Sequence, residues 1–161
     1  MDGVATAVLP TSYSRGEARI RELLRVHRPT HTLMLGLSRS AKAITLEQLA
    51  INLDACDKPD NDGDLRPRQR IIEQAPAAYW NSLPLERMAL VANEFGNEVD
   101  FSRDAGGYVC NHVFFTAAHF IASSAPDTRS GFVHIPFISE PGGTLVDVLN
   151  VVKTWVIGWR N

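Results

Sequence analysis

A cysteine placed where a glycine turn opens into an apolar helix is a candidate nucleophile, and the segment Gly106-Gly107-Tyr108-Val109-Cys110-Asn111-His112-Val113-Phe114-Phe115 has that form. The unpaired N–H groups and partial positive charge of a helix N-terminus favour thiolate over thiol, and the same groups can receive a developing oxyanion. A second segment, Gly131-Phe132-Val133-His134-Ile135-Pro136, reads as a short buried strand that carries a histidine to the point where a proline stops it. In an open parallel sheet, reactive groups collect at the carboxyl ends of strands and in the loops that follow them. Cys110 and His134 both fall there, so together they suggest a thiol and its base. Singly, each has a plainer reading. Free cysteine is among the most buried residue types, and a lone histidine is more often a hydrogen-bonded core or surface residue.

Such a pair also needs a group that orients the imidazole and stabilises its charged form. Glu47 is the leading candidate because it lies in Ile44-Thr45-Leu46-Glu47-Gln48-Leu49-Ala50-Ile51-Asn52, an unusually apolar setting for a carboxylate. The competing reading of that stretch is an exposed glutamate on a short helix.

The elements that must position these residues follow from hydrophobic periodicity. Val4 to Leu9 is apolar, ends at Pro10 and reads as a buried strand. Gly16 to His27 carries Ile20, Leu23, Leu24 and His27 at helical spacing, with Ser14 as a cap. Thr32 to Leu37 is a second strand, fitting a parallel partner reached through a crossover helix. From Ser38 to Pro76 the chain turns polar and reads as a long functional loop region or a small excursion from the sheet, with Lys58-Pro59-Asp60-Asn61-Asp62-Gly63 as its strongest turn signal. Beyond it the pattern predicts a helix over Leu85 to Phe95, a strand over Glu98 to Ser102, a helix over Cys110 to Ser123, a strand over Phe132 to Ile135 and a final helix over Leu145 to Trp159. This alternation predicts an α/β domain with a mostly parallel sheet.

With 161 residues, 45% of them hydrophobic, the chain is long enough for one core and predicts a single domain over 1–161. A net charge of −2 with dispersed Lys and Arg gives no footprint for nucleic acid or an anionic membrane. No apolar run approaches the roughly 18–20 residues needed to span a bilayer, and a start containing Asp2 does not resemble a signal peptide, so a cytoplasmic protein is expected. Cys56 and Cys110 stand in different contexts and are expected to be reduced thiols, with Cys56 structural. His112 and His119 sit on one predicted helix without a third ligand cluster, so no metal is expected. Asp60, Asn61 and Asp62 lack the later glutamate of a calcium loop and read as a turn.

Taken in order, several segments resemble the pyroglutamyl peptidase I (pyrrolidone carboxyl peptidase) family of cysteine peptidases. They are Ile44-Thr45-Leu46-Glu47 through Ala50-Ile51-Asn52, Pro59-Asp60-Asn61-Asp62-Gly63, and Pro76-Ala77-Ala78-Tyr79-Trp80 with Leu83-Pro84. Then come Ala105-Gly106-Gly107-Tyr108-Val109-Cys110-Asn111-His112 and Gly131-Phe132-Val133-His134-Ile135-Pro136-Phe137. The resemblance implies a three-layer α/β/α sandwich and removal of N-terminal pyroglutamate from peptides. It assigns Cys110 as nucleophile, His134 as base and acid, and Glu47 as orienting carboxylate. It further implies a peptide or small acyl-amide substrate, no cofactor, no nucleic acid or membrane partner, and a homo-oligomer.

Two departures bear on specificity. The family's first strand and helix, with a Gly-Phe-x-Pro-Phe-Gly loop that walls the substrate ring, have no counterpart in this sequence. The family's Gly-Gln-Ala-Gly-Gly-Arg loop is here Gly36-Leu37-Ser38-Arg39-Ser40-Ala41, with Arg39 as the nearest substitute for the arginine. These departures predict weak or undetectable turnover of pyroglutamyl substrates; a non-catalytic binding or assembly homologue is the rival reading, with a redox or thiol-transfer role as a third.

Overall fold

The computed structural model describes residues 3–137 and 144–159. In chain order it contains α1 (Tyr13–His27), β1 (His31–Ser38), β2 (Ile44–Glu47), β3 (Leu49–Ile51), β4 (Ala78–Trp80), α2 (Leu85–Glu94), β5 (Val99–Ser102), α3 (Val109–Ser124), β6 (Arg129–Pro136) and α4 (Thr144–Gly158). Four strands form one sheet in the order β1-β6-β2-β5, and β3 pairs with β4 in a separate two-stranded ribbon. The β1–β6 and β2–β5 pairs are parallel, whereas β2 runs antiparallel to β6.

Alternation along β6 builds the layers. Phe132 points to a core shared with Met34 of β1 and with Tyr13, Ile20, Val113, Phe114 and Phe115 of α1 and α3. Its neighbour Val133 points the other way, to Ile44, Leu46, Met88, Val151 and Trp155, where α2 and α4 pack. A strand with apolar side chains on both faces must be covered on both, and the result is the expected α/β/α sandwich. Helix α3 buries ten side chains, among them Asn111, His112 and Thr116. A helix covered on nearly every side belongs in the interior, and α3 lies between the sheet, α1 and the β3–β4 ribbon.

Several expectations are corrected. Val4 to Leu9 is not a strand: the segment is irregular, and Val8 is 95% exposed. A strand exists through the partners of its N–H and C=O groups, and among the described residues this segment has no ladder partner. The cap of α1 is Ser12, whose hydroxyl accepts from the Arg15 N–H at 3.1 Å, so the helix starts earlier than Ser14 would set it. The region from Ser38 to Pro76 is not all loop, because it contains β2 and β3. The short-helix alternative for Glu47 fails for the same reason: Ile44 and Leu46 alternate with Thr45 and Glu47 in a four-residue strand.

Candidate active site

Glu47, Cys110 and His134 reach one place from three elements. The antiparallel register of β2 on β6 sets Thr45 opposite His134 and Glu47 opposite Phe132, so Glu47 and His134 are diagonal neighbours on the face toward α3. A long carboxylate side chain spans that diagonal. Glu47 Oε1 lies 2.7 Å from His134 Nδ1, with Glu47 only 2% and His134 9% exposed. Parallel pairing with β1 puts Gly36 opposite His134. A Cβ at Gly36 would sit 2.6 Å from Phe132 Cζ and 3.1 Å from Cys110 Sγ, so the absent side chain is what lets α3 bring the thiol down onto the strand ends.

The turn before Cys110 is built by two glycines. Gly106 takes φ 82°, the left-handed region, and Gly107 passes so close to the 55 backbone that a Cβ would meet Ala55 O at 2.4 Å. That approach is fastened by Ala55 N–H donating to Gly107 O at 2.9 Å. In α3 the first helical bond is from His112 N to Tyr108 O at 3.1 Å, which leaves the N–H groups of Val109, Cys110 and Asn111 without helical acceptors. Asn81 steadies the carboxylate strand, its Nδ2 donating to Glu47 O at 2.8 Å while its Oδ1 accepts from Leu83 N–H at 2.9 Å.

Burial alone would push the His134 imidazole toward the neutral form. Hydrogen bonding and charge from Cys110 and Glu47 outweigh it and hold the His134 pKa up at about 9. Nδ1 is engaged by Glu47, so Nε2 is the ring nitrogen that this carboxylate does not occupy. Glu47 Oε2 is buried with no hydrogen-bond partner among the described residues.

Residues 2–148 match the family model for pyroglutamyl peptidase. The chain belongs to the pyroglutamyl peptidase family. It is 37% identical over 137 residues to the pyrrolidone-carboxylate peptidase of Gloeobacter violaceus, covering 85% of this chain and 66% of that one. With the Streptomyces coelicolor pyrrolidone-carboxylate peptidase it shares 34% over 143 residues, covering 88% and 66%. The crystal structure of Bacillus amyloliquefaciens pyroglutamyl peptidase I superimposes with a TM-score of 0.85 at 32% identity, over 91% of this chain and 75% of that one. For the Thermococcus litoralis pyrrolidone carboxyl peptidase the values are 0.86 and 28%, over 92% and 74%. The chain thus spans just under two thirds of the length of the curated relatives it matches, 64–66% for the first three.

The remaining sequence candidates scatter. Arg39 stacks over the Phe137 ring at 5.4 Å, at the carboxyl end of the β1–β6 pair. Cys56 is a partly buried free thiol whose N–H donates to Arg66 O at 3.0 Å. Asp60 accepts from the N–H groups of Tyr13, Asp62 and Asp64 at 2.8, 2.8 and 2.9 Å, so the acidic run is a turn docked on the start of α1. His119 pairs with the Tyr79 hydroxyl at 2.8 Å, and His112 lies elsewhere in a buried charge cluster. That cluster was not legible in the sequence, because Asp54 and Glu17 are 58 and 95 residues from His112. Among the described residues no group of His, Cys, Asp and Glu is arranged to hold a metal, and no helix is long and apolar enough to cross a membrane.

Proposed function

We propose that this protein is a cysteine peptidase that releases an N-terminal pyroglutamyl residue from peptides, with Cys110 as nucleophile, His134 as base and acid, and Glu47 as orienting carboxylate. The observation that carries the proposal is the 2.7 Å contact between Glu47 and His134, which orients the ring on the strand ends where α3 delivers Cys110. With its pKa held up at about 9, His134 carries the thiol proton as an imidazolium, and the sulfur attacks the pyroglutamyl carbonyl carbon. Negative charge gathers on the carbonyl oxygen, where the free N–H groups at the start of α3 can receive it. Collapse breaks the C–N bond, His134 protonates the departing amine, and a thioester to Cys110 remains. Water, deprotonated by His134, resolves it to pyroglutamate and free thiol. Each step uses protein groups and water, so the chemistry asks for no cofactor. A cytoplasmic setting and a homo-oligomer belong to the same proposal.

The ring-binding wall is where turnover is expected to suffer. Leu37 stands 60% exposed where the family pattern carries an amide side chain, and Arg39 is held on Phe137. Apolar contact is worth about 25 cal/mol per Å², so an open wall costs transition-state binding and turnover should be weak. Hydrolysis of a pyroglutamyl aminocoumarin reporter tests the proposal. Activity that vanishes in Cys110→Ala supports it, and activity that survives the substitution refutes the mechanism.

A further inference from the structure

The second histidine of α3 sits in a network the proposed reaction does not use. His112 has no solvent exposure. Its Nδ1 lies 3.1 and 3.0 Å from the two Asp54 carboxylate oxygens, and its Nε2 lies 3.1 Å from Glu17 Oε2. An ionised carboxylate only accepts, and a neutral imidazole has one donor nitrogen and one lone pair. Two carboxylates on the two ring nitrogens therefore require a ring that donates from both, which is the imidazolium. Each carboxylate also meets a guanidinium on its far side. Arg21 Nε reaches Glu17 Oε1 at 3.0 Å, and Arg66 Nη1 reaches Asp54 Oδ2 at 3.1 Å. Arg66 is itself shared with Asp64 at 2.9 Å and stacks at 4.4 Å over the ring of Tyr13. The Tyr13 ring in turn meets His112 edge-on at 5.2 Å and Tyr108 at 5.8 Å. Charges of alternating sign thus run from α1 through α3 to the segment after β3. The shifts agree in direction: burial opposes the charged form of His112, and Asp54 and Glu17 overcome it, while His112 is the largest influence lowering Glu17.

What makes the network functional is its place. His112 follows Cys110 by two residues, about 200° around the helix, so the two point to opposite sides of one turn. Between them Asn111 accepts from the Ile51 N–H at 3.0 Å and donates to Ile51 O and Leu53 O at 2.8 and 2.9 Å. The turn is therefore tied down on the sides that Cys110 does not use.

We infer that His112 is a positioning residue for Cys110: an imidazolium clamped between Glu17 and Asp54 that fastens the first turn of α3 and thereby sets the geometry between Cys110 and His134. The inference rests on the reading of Cys110 as nucleophile, but its test needs no peptide substrate. In the unmodified protein, nitrogen NMR of labelled histidines should show His112 protonated on both nitrogens at neutral pH, and a single neutral tautomer overturns the inference. In Glu17→Gln, which keeps size at a partly exposed site, iodoacetamide should alkylate Cys110 about tenfold more slowly at neutral pH, as expected when a reacting pair is loosened by a fraction of an ångström. The His134 titration should fall below its value of about 9, because part of that elevation comes from Cys110. Secondary structure by circular dichroism should be unchanged, and any peptidase activity should lose kcat rather than gain KM. If Glu17→Gln does not fold, Arg21→Ala, at the exposed end of the same chain of charges, should move both readouts in the same direction by less. A folded variant with parental Cys110 alkylation and His134 titration refutes the positioning role. Absence of peptidase activity with both shifts present refutes the proposed function and leaves this inference standing.

Discussion

Two histidines of this protein meet carboxylates through the same Nδ1 atom and differ at Nε2. His134 has Glu47 on Nδ1, and its Nε2 has no carboxylate, which suits the proposed exchange of a proton with the thiol. His112 has Asp54 on Nδ1 and Glu17 on Nε2, so both nitrogens are committed and its proton is locked in. Neither burial nor the presence of a carboxylate separates the two. What separates them is whether the second nitrogen is left available, and that depends on which element faces it: the start of α3 for one ring, α1 for the other.

The largest effect is expected at His134. His134→Ala should lower kcat for a pyroglutamyl reporter by about 10²–10⁴-fold, the range for loss of a general acid–base, while Glu47→Gln should cost less. Equal losses in the two variants, measured as kcat, would show that orientation matters as much as the base. At the locked histidine the large effect should be on stability. Asp54→Asn leaves a buried cation short of a partner and should cost about 3–5 kcal/mol in urea unfolding, and a cost below about 1 kcal/mol would contradict a charged His112.

Gly36→Ala probes the contact between strand and thiol. The new methyl would press on Phe132 and Cys110, so about 1–3 kcal/mol of stability should be lost together with activity, and Phe132→Leu in the same chain should restore part of both. A pH series sharpens the contrast further. The His134 pKa is raised from about 6.5 unfolded to about 9 folded, so its contribution to stability is complete below about 6.5 and is lost as pH rises through about 9. The urea midpoint should fall across that window in the parent and fall less in His134→Gln. The smallest effect is expected far from either histidine, at the α1 cap, where Ser12→Ala should cost about 1 kcal/mol without changing kcat.

Much of the candidate site could be read locally. The glycines before Cys110 and the apolar run after it announce a helix start, and Pro136 marks the end of the strand that bears His134. Both signals lie within a few residues of the side chain they position. Glu47 was legible only as a carboxylate in an apolar stretch, because four residues are too few for period-two alternation to exclude a helix. Its strand exists through β5 on one side and β6 on the other.

Local sequence was enough to read the helices α2 and α3 and the strands β1 and β6, and to single out Cys110 and His134 as candidates. Short-range periodicity, turn residues and side-chain identity carry that information within the chain's own neighbourhood. Distant contacts settled the rest: Val4 to Leu9 is no strand, Glu47 reaches His134 diagonally across antiparallel strands, and His112 is enclosed by carboxylates from α1 and from the segment after β3. Those outcomes depend on partners up to 95 residues away, and a hydrogen bond or ladder has no energy until the partner arrives.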